Sequence, residues 1–535
     1  MRPVQPPSLA EPPDPVVRQA VEVLGGPPGR HARLGGTRWT PVRWLLVLTL
    51  LTSLVGFWQK SPCRFHPWSE QYQYTRACYT DVYALWFAER LSEGAVPYRD
   101  HPVEYPVVIG GVMAAAAEGA RLFPADERPA RFYDLTWALL TASALVVVVT
   151  TARLAGRRPW DAALFALAPA LVLHGTTNWD LVAMALAGLG LLQWSRRRPA
   201  AAGLLLGLAT ATKLYPALFL LPIGLLCLRA GRLRAFWPVL AGVVLVPLLV
   251  TLPVYLTSPA FAPVGGTQAE VAGSPLDRLG DEGLSALAPH VTVTTADGAE
   301  VVGVNAAYRF VELNSTRPAD WDSLWFAVQT VRGVTLDGSV PPGEPPRLLN
   351  ALVAATLLVS LGAIAWLALR APVRPRLPQL LFLVVVAFLV TNKVWSPQFS
   401  LWLVPLLALA RPRWRSFLLW QATEAVLLIA RFLFFTGNDA PGTGIRVEHF
   451  LVTVLVRDAV LLGVAALVVR DVLRPELDVV RRSDGPGLTD GAGPGGTGAG
   501  AADGAVDDPA GGVLDGAPDR RRPPGPLASA SWHTG

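Results

Sequence analysis

Apolar runs separated by charged turns fill most of the chain, lying near 43–58, 132–153, 160–174, 180–195, 199–212, 216–229, 236–256, 349–370, 378–391, 399–410, 415–436 and 450–469. Runs of this length and hydropathy enter a bilayer, where every backbone polar group must find its partner inside the helix. The chain is 52% hydrophobic and 16% charged over 535 residues, more apolar than a soluble surface tolerates. The sequence therefore predicts an all-α polytopic membrane protein, one bundle of about 12 transmembrane helices, and excludes a set of soluble domains.

The turns between the runs alternate in charge. One set carries Arg153, Arg157 and Arg158, then Arg196 to Arg198, then Arg229, Arg232 and Arg234, then Arg370, Arg374 and Arg376, then Arg411, Arg413 and Arg415, with Arg470 and Arg474 at the exit. The other set reads HGTTNWD (174–180), TKLYP (212–216), the loop 257–348, TNKVWSPQ (391–398) and GNDAPGTGIRVEH (437–449). Cytoplasmic turns hold the excess of Lys and Arg, so the first set is expected inside the plasma membrane and the second outside. Arg30, Arg33, Arg38 and Arg43 put the N-terminal tail inside, and the count closes with both termini cytoplasmic if Val107–Phe123, which carries Glu118 and Arg121, lies at the outer interface rather than crossing. The expected organisation is a cytoplasmic tail over 1–40, a transmembrane domain over 41–475 with outer loops 59–131 and 257–348, and a cytoplasmic tail over 476–535. Both tails read as disordered, the second because Gly, Ala, Asp and Pro without periodicity bury too little apolar surface to offset the entropy of ordering.

From Arg198 to Lys213 the hairpin arm measures roughly 22 Å of helix, short of the ~30 Å hydrocarbon core. The hairpins tipped by HGTTNWD and TNKVWSPQ are similarly short. Polar, non-helical backbone at that depth is tolerated only where it lines a cavity or is buried in protein, so a cavity is expected on the outer face.

Acids, aromatics and prolines crowd the first outer loop. Thr80 can cap a helix starting at Asp81, with Tyr83, Trp86, Phe87 and Leu91 on one stripe and Gly94 and Pro97 ending it. Asp81 then displays a carboxylate at the cavity mouth, either as a general base or as a simple complement to the helix dipole. Glu104 and Asp100 are candidates for a second acid or for capping. Cys63 and Cys78 share this loop, where oxidation is permitted, and form a candidate disulfide. All but three of the 46 Lys and Arg residues are arginine. Lys213 and Lys393 break that habit at the tips of shortened hairpins, facing an anionic group such as a lipid phosphate or snorkelling to the interface. Arg431 and Arg457, in the apolar runs with Glu424 and Asp458, are candidate phosphate partners or locks between helices. His174, Asn178 and Asp180 suit sugar hydroxyls or helix ends. No zinc-ligand spacing, phosphate-binding glycine loop or G-x-S-x-G is present, and nothing points to nucleic acid.

The succession of Asp81 and Tyr83, then Gly94, Pro97 and Tyr98, then Glu104, Tyr105 and Pro106, then Lys213, Tyr215 and Pro216, then Lys393, Ser396, Pro397, Gln398, Trp402 and Pro405 resembles glycosyltransferase family 87. Members of that family are polyprenyl-phosphate-mannose-dependent mannosyltransferases of the GT-C fold. The resemblance implies a GT-C-like bundle with juxtamembrane helices on the outer face. It also implies transfer, with inversion, of mannose or a related sugar from a polyprenyl-phosphate donor to an envelope glycolipid or glycan acceptor, without a cofactor or metal. Asp81 becomes the base. Tyr83, Glu104, Tyr105, Asn178, Asp180, Lys213, Tyr215, Lys393, Gln398, Arg431 and Arg457 become candidate substrate-binding residues, and the loop 257–348, with Tyr308, Arg309, Trp321 and Trp325, a candidate acceptor site or an interfacial anchor. In one departure, EYP is followed by Val107 where the family usually has a second proline. A transporter or lipid flippase of the cell envelope is the rival reading, since it too uses broken helices around a polar site.

Overall fold

The computed structural model describes residues 39–483, apart from breaks at 66–67, 265, 295–297, 339, 341–342 and 440–442, together with residues 508–520. The tail expected over 1–40 lies almost wholly outside the described residues.

The architecture is a helical bundle. Among the described residues six helices are long and apolar enough to cross a bilayer: Pro41–Arg64, Arg128–Leu154, Leu233–Thr257, Arg347–Arg370, Trp414–Gly437 and Val447–Leu473. Between them lie shorter apolar helical stretches, Asp180–Ser195, Pro199–Thr212, Tyr215–Arg229, Leu377–Thr391 and Pro397–Ala410. The bundle is thus as expected in kind, with six helices of full spanning length and a set of half-length ones.

The short helices form the interior. Leu377–Thr391 is buried along most of its length, whereas Leu233–Thr257 buries only Val239 and Val243 and presents its other apolar side chains outward. Close approach explains the inner packing: a Cβ at Gly207 would stand 2.2 Å from the Gly242 carbonyl oxygen, and one at Gly203 2.4 Å from that of Pro238. Small residues let the backbones of Pro199–Thr212 and Leu233–Thr257 touch, as helix pairs in lipid commonly do.

The segment between the first two long helices folds as a compact cover. The Thr80 side chain accepts from the Val82 N–H at 3.2 Å and starts the helix Asp81–Ala88. That helix is shorter than its apolar stripe suggests: Arg90 takes a left-handed φ of 53°, a tight turn Leu91–Glu93 follows, and Gly94 closes it at φ 98°. Cys63 and Cys78 are disulfide-bonded, tying the end of the first helix to this cover. Val107–Arg121 is a helix of 15 residues, roughly 22 Å long and too short to cross. It meets the cover at Gly110, where any Cβ would strike the Tyr98 ring at 2.2 Å.

The region 257–348 adds an element that a search for long apolar runs passes over. Strands β1 (Ala260–Val264), β2 (Thr267–Ala272), β3 (His290–Thr294) and β4 (Glu300–Asn305) make an antiparallel sheet in the order β2-β1-β4-β3. The signal is the period-two alternation in HVTVT and EVVGVN. Asn305 Nδ2 donates to the Tyr255 and Ser258 carbonyls at 3.0 and 2.9 Å, fixing the sheet to the end of Leu233–Thr257.

The tail also departs from expectation. Disorder from 476 onward does not hold for 476–483 or 508–520: Asp478 pairs with Arg376 at 2.7 Å, and Leu514 is buried in the main core. A few anchoring acids and one leucine outweigh a composition that looks structureless on average.

Candidate active site

A cavity of about 730 Å³ opens among the hairpin tips, under the cover and the 309–332 part of the long loop. Asp81 lies in its wall. The Asp81 N–H donates to the Thr177 carbonyl at 2.8 Å and the Thr80 hydroxyl to that of Thr176 at 2.7 Å, so the helix start is bolted to the HGTTNWD tip. The Tyr105 hydroxyl donates to Asp81 Oδ2 at 3.3 Å, and the Tyr79 hydroxyl also bonds the carboxylate. Burial pushes the Asp81 carboxyl above its ordinary range, with these hydroxyls and Lys213 pulling the other way. The Asp81 charge in turn drives the Tyr79 phenol upward, so Tyr79 stays a protonated donor. Burial does the same for Tyr105.

Lys213 stands beside this group. Its Nζ pairs with Asp180 Oδ1 at 2.6 Å and lies 5.0 and 5.1 Å from the Tyr105 and Phe399 rings. Asp180 is held from the other side by the Trp402 indole N–H at 3.0 Å, and Trp402 stacks on Tyr215 with centroids 4.3 Å apart. Asn178 accepts the Asp180 N–H at 3.0 Å, and its Nδ2 has no partner among the described residues. His174 and Gln398 also line the cavity, and His174 Nε2 is likewise buried without a partner. These unmatched donors and acceptors face space a polar ligand can fill.

Glu104 acquires a partner that the sequence did not suggest. Its Oε2 pairs with Arg317 of the long loop at 2.8 Å, and burial raises its carboxyl above the usual range against the pull of that guanidinium. Arg431 also lines the cavity, paired with Asp322 and lying 4.9 Å from the Phe435 ring.

Three expected residues are turned elsewhere. Tyr83 stacks on Trp68 at 5.1 Å and meets Phe87 at 5.4 Å, outside the cavity lining, because its face of the helix Asp81–Ala88 packs on the aromatic cover. Lys393 donates to the Ser315 carbonyl at 3.0 Å while its own carbonyl accepts from Asp320 N–H at 2.8 Å, so it stitches the long loop to the hairpin tip. Burial and the nearby Arg317 lower its ammonium to about 8. Arg457 is wholly buried: the Trp395 ring covers it at 3.5 Å, Asp458 accepts its Nε–H at 2.7 Å, and the Asp322 carbonyl accepts from Nη2 at 2.7 Å. These contacts tie the helix Val447–Leu473 to the long loop and to the TNKVWSPQ tip.

Lys60, Tyr79, Arg317 and Asp322 are the contributors sequence reasoning missed. Lys60 Nζ donates to the Tyr79 carbonyl at 2.7 Å and lines the cavity. Its rarity as one of three lysines is the signal that singled out Lys213 and Lys393, and it applies equally here.

The apolar helices and their composition define a multi-pass membrane protein, with a polar cavity at its hairpin tips. Residues 129–263 match the family model for Glycosyltransferase family 87, so this stretch of the chain is similar to that family. The match contains Asn178, Asp180, Lys213 and Tyr215, and stops short of Asp81 on one side and the TNKVWSPQ tip on the other. No curated protein matches the chain. Among solved structures the chain is similar to the crystal structure of ArnT from Cupriavidus metallidurans bound to undecaprenyl phosphate, at 15% identity and a TM-score of 0.38, over 81% of this chain and 78% of that one. That likeness is too distant to bear on function.

Proposed function

We propose that the chain transfers a mannosyl or closely related residue from a polyprenyl-phosphate sugar to a hydroxyl of an envelope glycolipid or glycan, on the outer side of the plasma membrane. Asp81 is the general base. The observation that carries the reading is the Asp81 carboxylate, its backbone fixed to Thr177, in a polar cavity that Lys213 and Arg431 also line. A base needs a raised affinity for protons and a rigid seat, and burial supplies the first while the Thr177 contact supplies the second.

The acceptor O–H loses its proton to Asp81 as the oxygen attacks the anomeric carbon. The bond from that carbon to the phosphate oxygen breaks on the opposite side, the configuration inverts, and the polyprenyl phosphate leaves with the bonding electron pair. Lys213 and Arg431 are the cations placed to offset the charge that builds on the leaving phosphate. Because Lys213 and Arg431 each hold an acidic partner, an arriving phosphate competes for cations already in position and pays little for ordering them. Glu104 and Arg317 join the cover to the long loop across the cavity mouth, a junction suited to admitting the acceptor.

The test uses purified protein in lipid nanodiscs with radiolabelled polyprenyl-phosphate mannose, the corresponding pentose donor and a panel of envelope glycolipids. Label appearing in an acceptor supports the reading and names the donor. Vesicle-to-vesicle movement of the donor lipid without any transfer sinks it in favour of a flippase.

A further inference from the structure

The ends of the helices remote from the cavity carry the arginines of the charge pattern, and residues 508–520 lie across them. Asp519 takes a two-pronged pair from Arg229, Nε to Oδ1 and Nη2 to Oδ2, both 2.8 Å. It also accepts the Arg374 N–H at 3.0 Å. Arg229 is buried, and its remaining donors reach the Ala368 and Ala371 carbonyls at 2.8 and 2.9 Å. Arg374 grips the segment in return, donating to the Leu514 and Ala517 carbonyls at 2.7 and 2.9 Å. At the other end Asp508 accepts the Leu377 N–H at 2.6 Å, satisfying a free donor at the start of Leu377–Thr391.

Between these acids the segment is apolar and closely fitted. Leu514 and Ala510 are buried. Gly512 adopts φ +61°, and a Cβ there would stand 2.0 Å from the Trp194 carbonyl oxygen, so only glycine lets the chain pass this close to the end of Asp180–Ser195. Pro509 rests on Gly156, 3.0 Å from where a Cβ would be. The segment thus bridges the ends of Arg128–Leu154, Asp180–Ser195, Tyr215–Arg229, Arg347–Arg370 and Leu377–Thr391. Three of these helices, Asp180–Ser195, Tyr215–Arg229 and Leu377–Thr391, carry the cavity tips at their other ends.

We propose that residues 508–520 are a self-docking acidic clasp, and that the surface built by Arg229, Arg374 and the Trp194 backbone is a docking site for an acidic linear peptide of this pattern, its occupant being the chain's own tail. The required features are a carboxylate for Arg229, a leucine five residues before it, a left-handed glycine two residues earlier still, and a carboxylate for the Leu377 N–H. A tethered occupant competes at high effective concentration, so the site stays filled by weak contacts that a free peptide in excess can displace. The proposal goes beyond glycosyl transfer and stands whether or not that activity is found.

Hydrogen exchange on the full chain in nanodiscs tests it. The Gly511, Leu514 and Ala517 amides, which donate to Asp508, Gly511 and Leu514 carbonyls, should exchange about 100-fold more slowly than in a synthetic peptide of residues 506–521. Millimolar wild-type peptide should erase that protection. A full chain carrying Leu514→Asp and Asp519→Arg should lose it outright while Asp180–Ser195 keeps its own, and should then bind fluorescent wild-type peptide saturably at its vacated surface. Exchange of 508–520 at the free-peptide rate in the wild-type chain overturns the proposal. So does failure of the peptide to bind the doubly substituted chain when Asp180–Ser195 is still protected.

Discussion

Replacing Lys213 with methionine leaves the Asp180 carboxylate buried without its counter-charge. The pair is 2.6 Å long, Asp180 is 2% exposed, and the neutral Trp402 indole at 3.0 Å and Asn178 side chain remain to it but supply no charge. Removing one partner of a buried pair costs ~3–5 kcal/mol, chiefly because the other charge stays desolvated. Lys213 lines an open cavity rather than close-packed core, which puts the expected loss near the lower end, ~3 kcal/mol. Asp180→Asn removes the charge from the other side and strands the ammonium against Tyr105 and Phe399, with a similar loss. The double variant Lys213→Met/Asp180→Asn holds no uncompensated charge and should cost ~1 kcal/mol or less, a coupling of several kcal/mol in the cycle. Thermal unfolding of the four proteins in identical nanodiscs measures it. Transfer activity should follow a different course: the double variant should recover stability and stay inactive, since the cation proposed to face the leaving phosphate is gone. Additive single losses refute the pairing argument, and wild-type transfer by the double variant refutes the role given to Lys213.

Arg457→Met should lower stability by ~3–5 kcal/mol, because Asp458 loses its partner under the Trp395 ring, while the donor KM of the folded fraction stays at the wild-type value. Gly110→Ala drives a methyl group into the Tyr98 ring and should cost ~1–3 kcal/mol in thermal unfolding. It should also lower kcat, because the Tyr98 hydroxyl holds the carbonyls of Pro106 and of Tyr105, whose own hydroxyl bonds Asp81, at 3.0 and 2.9 Å. In the pH profile of kcat/KM the acid limb should lie above the ordinary aspartate value of 3.8, since burial raises the Asp81 carboxyl and activity falls as decreasing pH protonates it. An acid limb at 3.8 or below contradicts that assignment.

Much of the bundle was legible because lipid imposes one strong rule. Long apolar runs gave the full-length helices, and the short interval from Arg198 to Lys213 announced the half-length ones and the cavity at their tips. Thr80 and Asp81 were readable as a helix start because capping is local. Tyr83 and Lys393 were misread for the same reason: whether a side chain faces a cavity or a neighbouring loop depends on contacts with Trp68 and Ser315, remote in sequence or in an unpredicted fold. Arg457 illustrates a further ambiguity, as a buried charge beside an acid reads alike whether it awaits a ligand or locks two helices. The pairs Glu104–Arg317 and Arg431–Asp322 span more than a hundred residues each and leave no local trace. The clasp at 508–520 was hidden by averaging, its few anchoring residues diluted in a tail of Gly, Ala and Asp.

The central claim is that Asp81 removes the acceptor proton in a sugar transfer from polyprenyl phosphate. Single-turnover transfer from radiolabelled polyprenyl-phosphate mannose to an accepted glycolipid, compared between the wild-type chain and Asp81→Asn at equal donor occupancy, addresses it most directly. Asp81→Asn should bind donor normally, unfold at a temperature no lower than the wild type because a buried charge has been removed, and transfer at least ~100-fold more slowly. Transfer by Asp81→Asn at the wild-type rate contradicts it.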